Sequence, residues 1–248
     1  MNVPVYYLLS ALAVLIILAI HEYAHAYAAY KLGDETARNF GRLTLNPIKH
    51  LDPIGALCML FFHIGWAKPV PINARNFKNP RRDCAITALA GPLVNIIMAF
   101  FSALIYLIIY SAAYSSDAVM QNDFAFELIR NTLLFVSLFH TINLGLGIFN
   151  LIPIPPFDGS RIIYAVLPPK AYFGVMKHER KIYFGVLLWL FLGDYVAMAL
   201  RAIPVVATTP WLYTITGIFS LSGMLASAIE GLSGLMFEFW MLIPIFNI

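Results

Sequence analysis

The chain has 248 residues, of which 60% are hydrophobic and only 12% charged. A soluble domain carries about 25% charged residues, so the composition excludes an ordinary water-soluble globule and points to an integral membrane protein. The net charge of +3 is small, and no nucleic-acid partner is expected.

The apolar residues come in runs. Residues 5–20 open the first, and a helix is expected from Val5 to Tyr30, ending before Gly33 and Asp34. Its start, MNVPVYY, lacks the basic segment of a secretory signal, so it reads as a retained span. The polar stretch RNFGRLTLNPIKHLDP follows. Residues 54–66 are apolar but too short to span, which suggests a re-entrant or interfacial segment anchored by Trp66. In AKPVPIN the alternate prolines block a helix and favour extended backbone. A second span is expected over Asp83–Tyr110, containing Gly91, Pro92 and Asn95, with residues 112–131 as a loop. A third should cover Thr132–Leu151 and break at Pro153, Pro155 and Pro156, a break allowed at membrane depth only where protein or a watery cavity satisfies the freed polar groups. Residues 183–200 and 211–229 supply two more runs near the ~20 residues a spanning helix needs, with a shorter apolar stretch behind. The expected fold is an all-α polytopic membrane protein of about five to six transmembrane helices, with a re-entrant, partly extended loop.

Charge placement sets the expected orientation. Nine of the sixteen Lys and Arg residues lie between Lys31 and Arg82, and five more between Arg161 and Lys181. Cytoplasmic loops collect Lys and Arg, so both segments should face the cytoplasm, with the N-terminus and the 112–131 loop outside. That loop holds Asp117, Asp123 and Glu127 against Arg130 alone. Two cysteines, Cys58 and Cys84, match no recognised metal or disulfide spacing.

His21-Glu22-Tyr23-Ala24-His25 is an HExxH sequence. On a helix, positions i and i+4 lie ~40° apart around the axis and one turn along it, so both imidazoles can reach one metal ion. Glu22 is placed to take a proton from water that the metal activates. Ionisable residues inside a spanning helix are costly, which favours a functional reading over a polar packing cluster.

A catalytic zinc takes three protein ligands and keeps a fourth position open, so a third ligand must come from elsewhere. Asp158, in FNLIPIPPFDGSR, is the best candidate. The first and third spans both run from outside to inside, which brings His21, Glu22, His25 and Asp158 to similar depth in one leaflet. His63 and His140 are alternatives, with a packing role favoured for His140. His50 and His178 sit among basic loop residues and are expected to be solvated.

At this point the chain resembles the site-2 protease family of intramembrane zinc metalloproteases. The resemblance rests on HEYAH at 21–25, GWAKPVPIN at 65–73, AGPLVN at 90–95 and NLGLGIFNLIPIPPFDG at 143–159, in order over roughly residues 8–170. It implies one Zn2+ per chain on His21, His25 and Asp158, with Glu22 as general base. It also implies a three-helix catalytic core and cleavage of a partner membrane protein's transmembrane segment. Asn95 and Asn150 match family positions that hold substrate or support the zinc loop. The expected division is a protease core over 1–170 and additional membrane helices over 171–248. The loops are too short for a PDZ or CBS domain, given domains of ~50 residues or more.

An unwound substrate segment is expected to add as a strand to the edge of GWAKPVPIN, beside Val70 and Ile72. Two other functions compete: a membrane metal transporter, and a non-catalytic relative that binds substrate without cutting it. A transporter more often strings ligands along a path, and the intact His21, Glu22, His25 and Asp158 set argues against the second. A prokaryotic plasma membrane is the expected location.

Overall fold

The computed structural model describes residues 3–52, 67–116, 119, 121–217 and 220–243. The expected re-entrant run over 54–66, with Cys58, His63 and Trp66, lies outside them, as does Asp117. Among the described residues the fold is all-α, with no strand and a single isolated bridge between Leu51 and Ala67.

Helix α1 runs Val3–Lys31 and buries Ala13, Ile17, His21, His25 and Ala29, a stripe at four-residue spacing that turns both histidines inward. It ends in a Schellman turn. Gly33, at φ 107°, donates its N–H to Tyr30, and Asp34 donates to Ala29. The short helix α2, Thr36–Asn39, ends the same way on Gly41, at φ 65°, with Arg42 N–H on the Ala37 carbonyl. The backbone thus delivers Asp34 and Arg42 to matching positions just past two helix ends, and both are buried.

Helix α3, Pro80–Tyr114, starts with Pro80 in its first turn, and Asn79 caps it by accepting the Arg82 N–H. Its buried stripe of Asp83, Thr87, Gly91, Asn95, Ala99 and Ala103 again has four-residue spacing. Small residues on such a stripe let helices approach closely in a bilayer. Helix α4, Asp123–Asn150, is capped by Asn122 on the Ala125 N–H. Helices α1, α3 and α4 pack on one another as a three-helix core. Gly147 sits where a Cβ would come 3.1 Å from the Pro92 carbonyl oxygen.

The turn after α4 leads into α5, Asp158–Val166, which packs against α3. Gly159 is needed there, because a Cβ would lie 2.3 Å from the Leu151 carbonyl oxygen. Helix α6 (Pro169–Arg201) and the short α7 (Pro204–Thr208) and α8 (Pro210–Thr216) follow. Helix α9, Leu221–Met241, returns to pack on α3, α4 and α6. Its Trp240 indole donates to the Phe100 carbonyl at 2.8 Å.

Among the described residues three helices, α1, α3 and α4, are long and apolar enough to cross a membrane, and up to five spans result if each of two bent helical pairs counts as one. The chain is an all-α, multi-pass membrane protein. Three expected boundaries shift, the run expected over 183–200 beginning earlier, at Pro169 in α6. The loop expected over 112–131 shrinks, because α3 continues to Tyr114 and α4 begins at Asp123. Hydropathy marks the stretch that tolerates lipid, whereas a capped helix can continue past it with an exposed Glu127–Arg130 pair. Within the run expected over 211–229, α8 ends at Thr216 and α9 starts from a Ser220 cap on the Gly223 N–H.

Candidate metal centre

One turn of α1 separates His21 from His25, and their Nε2 atoms face each other at 3.0 Å. Asp158, the first residue of α5, places Oδ2 3.3 Å from His21 Nε2 and 3.2 Å from His25 Nε2. Among the described residues this is the one group of three or more metal-ligating side chains, with ligand atoms all within 4.8 Å of one another. The histidine side chains are 6% and 8% exposed and that of Asp158 is 23% exposed, so the cluster is reached from the Asp158 side.

The donor set fits a divalent cation. His25 Nδ1 lies 2.7 Å from the Thr87 carbonyl oxygen, a bond it makes by donating its N–H, which leaves the lone pair on Nε2. His21 Nδ1 lies 3.2 Å from the Asn95 carboxamide. With that carboxamide turned over, the buried Asn95 Oδ1, which otherwise has no partner, accepts the His21 Nδ1–H. Both imidazoles then aim lone pairs at one point, and the carboxylate oxygen facing them has no hydrogen-bond donor of its own. Three electron-rich atoms converging in a buried place repel one another unless a cation lies between them.

Gly91 makes room for this arrangement. A Cβ there would lie 2.3 Å from His25 Nε2 and 2.6 Å from His21 Cε1. Glu22, half-buried on α1 between the histidines, accepts the Val70 N–H on Oε2 at 3.1 Å.

The remaining site candidates fall as follows. Asn95 is fully buried against His21 and faces no open surface. Asn150 turns its amide back onto its own helix, donating to the Leu146 carbonyl at 3.1 Å. Val70 packs its side chain inward with Ala26 and Ala37, and Ile72 is exposed. Residues 67–73 are non-helical, as their prolines require, yet the Val70 N–H expected at an open edge is taken by Glu22. His140 stands apart from the cluster: Nδ1 donates to the Ala99 carbonyl at 2.9 Å and Nε2 meets the Ser233 hydroxyl at 2.8 Å.

Three contributors were not legible in advance: the Thr87 carbonyl, the Gly91 clearance, and the Asp34 carboxylate that accepts bonds from Asn73 and Asn76. Gly91 carried a signal, a glycine beside a proline inside a span. A backbone carbonyl carries none.

The fold and this cluster define a polytopic helical membrane protein with a His-His-Asp centre. The family model described as "Peptidase family M50" matches residues 9–192, and the chain belongs to that family, the site-2 proteases. It is 44% identical over 199 residues to the Bacillus subtilis protein named "Putative zinc metalloprotease YwhC", covering 77% of this chain and 87% of that one. It is also 30% identical over 161 residues to a Mycobacterium tuberculosis protein named "Putative zinc metalloprotease Rip2", covering 62% of this chain and 54% of the other. The chain therefore spans about half the length of that second relative. No solved structure matches it significantly.

Proposed function

We propose that the chain is an intramembrane zinc endopeptidase that hydrolyses a peptide bond in or near the transmembrane segment of a membrane-protein substrate. The observation that carries this reading is the convergence of His21 Nε2, His25 Nε2 and Asp158 Oδ2 with Glu22 on the same helix turn. Membership of a peptidase family and the relatives' names support it.

His21, His25 and Asp158 would hold one Zn2+ per chain. Bound zinc supplies Lewis acidity, polarising a carbonyl and lowering the pKa of water to about 7. Glu22 takes the proton of the attacking water and hands it to the leaving amine. The Val70 N–H orients the Glu22 carboxylate through Oε2, leaving Oε1 for that proton. The Thr87 carbonyl and Asn95 hold the two imidazoles in the tautomer that frees both Nε2 atoms. An unwound substrate segment lies beside residues 67–73 at the exposed Ile72, the Val70 N–H being already held by Glu22. By the distribution of Lys and Arg, the N-terminus is outside and the site opens to the cytoplasmic leaflet; the compact chain suits a prokaryotic plasma membrane.

The test is zinc content and cleavage of a panel of single-span substrates by detergent-purified protein beside Glu22→Gln. Near-stoichiometric zinc in both proteins, with cleavage by the wild type alone, is the expected result. Protein that holds no zinc, or a Glu22→Gln protein that still cleaves, would overturn the reading.

A further inference from the structure

Residues 67–77 form a strap across the inner end of α1, and it is tied down at two places. Near its start, the Lys68 N–H donates to the His50 carbonyl at 2.8 Å, and the Lys68 carbonyl accepts from the buried Arg42 guanidinium. His50, expected from its basic surroundings to be solvated, is instead buried and held through Nε2 on the Thr44 carbonyl at 2.7 Å. Near its end, the tie is Asp34. Its fully buried carboxylate accepts the Asn73 N–H on Oδ2 at 2.8 Å and the Asn76 side-chain amide on Oδ1 at 2.7 Å. Oδ1 also accepts the Thr36 hydroxyl at 2.5 Å and the Thr36 N–H at 3.1 Å.

Four donors and, among the described residues, no cation on a buried carboxylate make an unusual group, since a buried charge ordinarily takes an opposite charge as partner. Neutral amides and a hydroxyl instead satisfy it, and two of those amides belong to a segment 39 and 42 residues away in sequence. The group is placed to hold the strap. Between the two ties stands Val70, whose N–H meets Glu22.

We propose that Asp34 is a positioning residue for the catalytic centre: its carboxylate clamps the strap through Asn73 and Asn76 and so keeps the Val70 N–H on Glu22. This rests on the protease reading for the role of Glu22, but the clamp itself can be tested without it. The chain geometry explains the need for two ties. Val70 lies two residues beyond Lys68, so by chain length a strap hydrogen-bonded at that end alone can carry it through an arc of radius up to ~7 Å, opposed only by the packing of its side chain on Ala26 and Ala37. That is more than enough to part a hydrogen bond. Fixing Asn73 as well removes this freedom.

Replacing Asp34 with Asn puts an NH2 group where one oxygen stood, so at least one strap or Thr36 donor then faces a donor. Hydrogen exchange resolved by residue on the full-length protein in detergent, for wild type, Asp34→Asn and the milder Asn76→Ala, reads the effect at Val70, which neither substitution touches. The expected result is at least ten-fold faster exchange of the Val70 amide in both variants. Bound zinc and the unfolding temperature of α1, α3 and α4 stay at wild-type values. With a quenched fluorogenic transmembrane peptide as the cleavage probe, kcat falls at least ten-fold and zinc content does not move. Unchanged Val70 exchange alongside faster Asn73 exchange would overturn the proposal, since the clamp would then be local. Loss of zinc in both variants would also overturn it, by making Asp34 a general support of the fold. A wild type that cuts no probe would count against the protease reading alone, with the exchange result still deciding the clamp.

Discussion

Gly91 on α3 lies so close to His25 on α1 that a Cβ added to it would stand 2.3 Å from Nε2, the atom that faces Asp158. The space a ligand atom needs is therefore created by the absence of a side chain on the neighbouring helix.

Gly91→Ala should displace both imidazoles and reduce zinc affinity at least ten-fold. The overpacking should cost about 1–3 kcal/mol of stability, the range usual for an extra methyl in a filled core. Gly174→Ala and Gly185→Ala, where an added Cβ meets nothing within 4 Å, are the controls. Each should be neutral or stabilising by about 0.5–1 kcal/mol from helix propensity. Zinc analysis and thermal unfolding in detergent distinguish the three.

Asn95 acts through His21. Removing a hydrogen-bond partner of a ligating imidazole typically costs 10–100-fold in metal affinity. Asn95→Ala should lose zinc to a competing chelator by a factor in that range. Asn95→Asp, which always presents an acceptor to Nδ1–H, should lose less. Equal affinity in Asn95→Ala and wild type would mean that His21 keeps its tautomer unaided.

His140 ties α4 to α3 and α9 and does not reach the metal centre. His140→Ala should leave zinc stoichiometry intact and lower stability by about 1–3 kcal/mol, the cost of leaving the buried Ala99 carbonyl and Ser233 hydroxyl with weaker partners. Differential scanning calorimetry with a parallel zinc assay checks both halves. A zinc-free His140→Ala protein would return it to the list of ligands.

The Asp34 carboxyl titrates below its ordinary value of 3.8: burial opposes ionisation, but Thr36, Asn73 and Asn76 hydrogen bonds to the anion outweigh it. A group whose folded pKa is depressed contributes stability that is fully present above its unfolded pKa and is lost as pH falls through the folded one. The difference in unfolding temperature between wild type and Asp34→Asn, both stripped of metal, should therefore be constant from pH 7 to about 5 and shrink below about 4. Unfolding scans across that range test it. A difference that grows on acidification would reverse the sign and refute the assignment.

How far the chain could be read in advance depended on the distance over which each feature is encoded. His21 and His25 were legible because helical periodicity alone puts i and i+4 on one face, and hydropathy alone put that helix in a membrane. Asp158 was legible from its proline-broken approach and from the direction of two spans. The ends of α3 at Tyr114 and of α8 at Thr216, and the starts of α4 at Asp123 and of α9 at Leu221, were not, because hydropathy records what lipid tolerates and caps decide where a helix stops.

The sequence by itself pointed to an all-α membrane bundle and to the residues of the candidate metal centre, since these follow from local spacing and from the cost of polar groups in lipid. Only the tertiary structure decided what surrounds them. The Thr87 carbonyl on His25, the empty space at Gly91 and the reach of Asp34 to Asn73 and Asn76 all join residues at least 39 positions apart. Such contacts depend on how helices and turns pack to within a few ångströms, and no local pattern of residues specifies that distance.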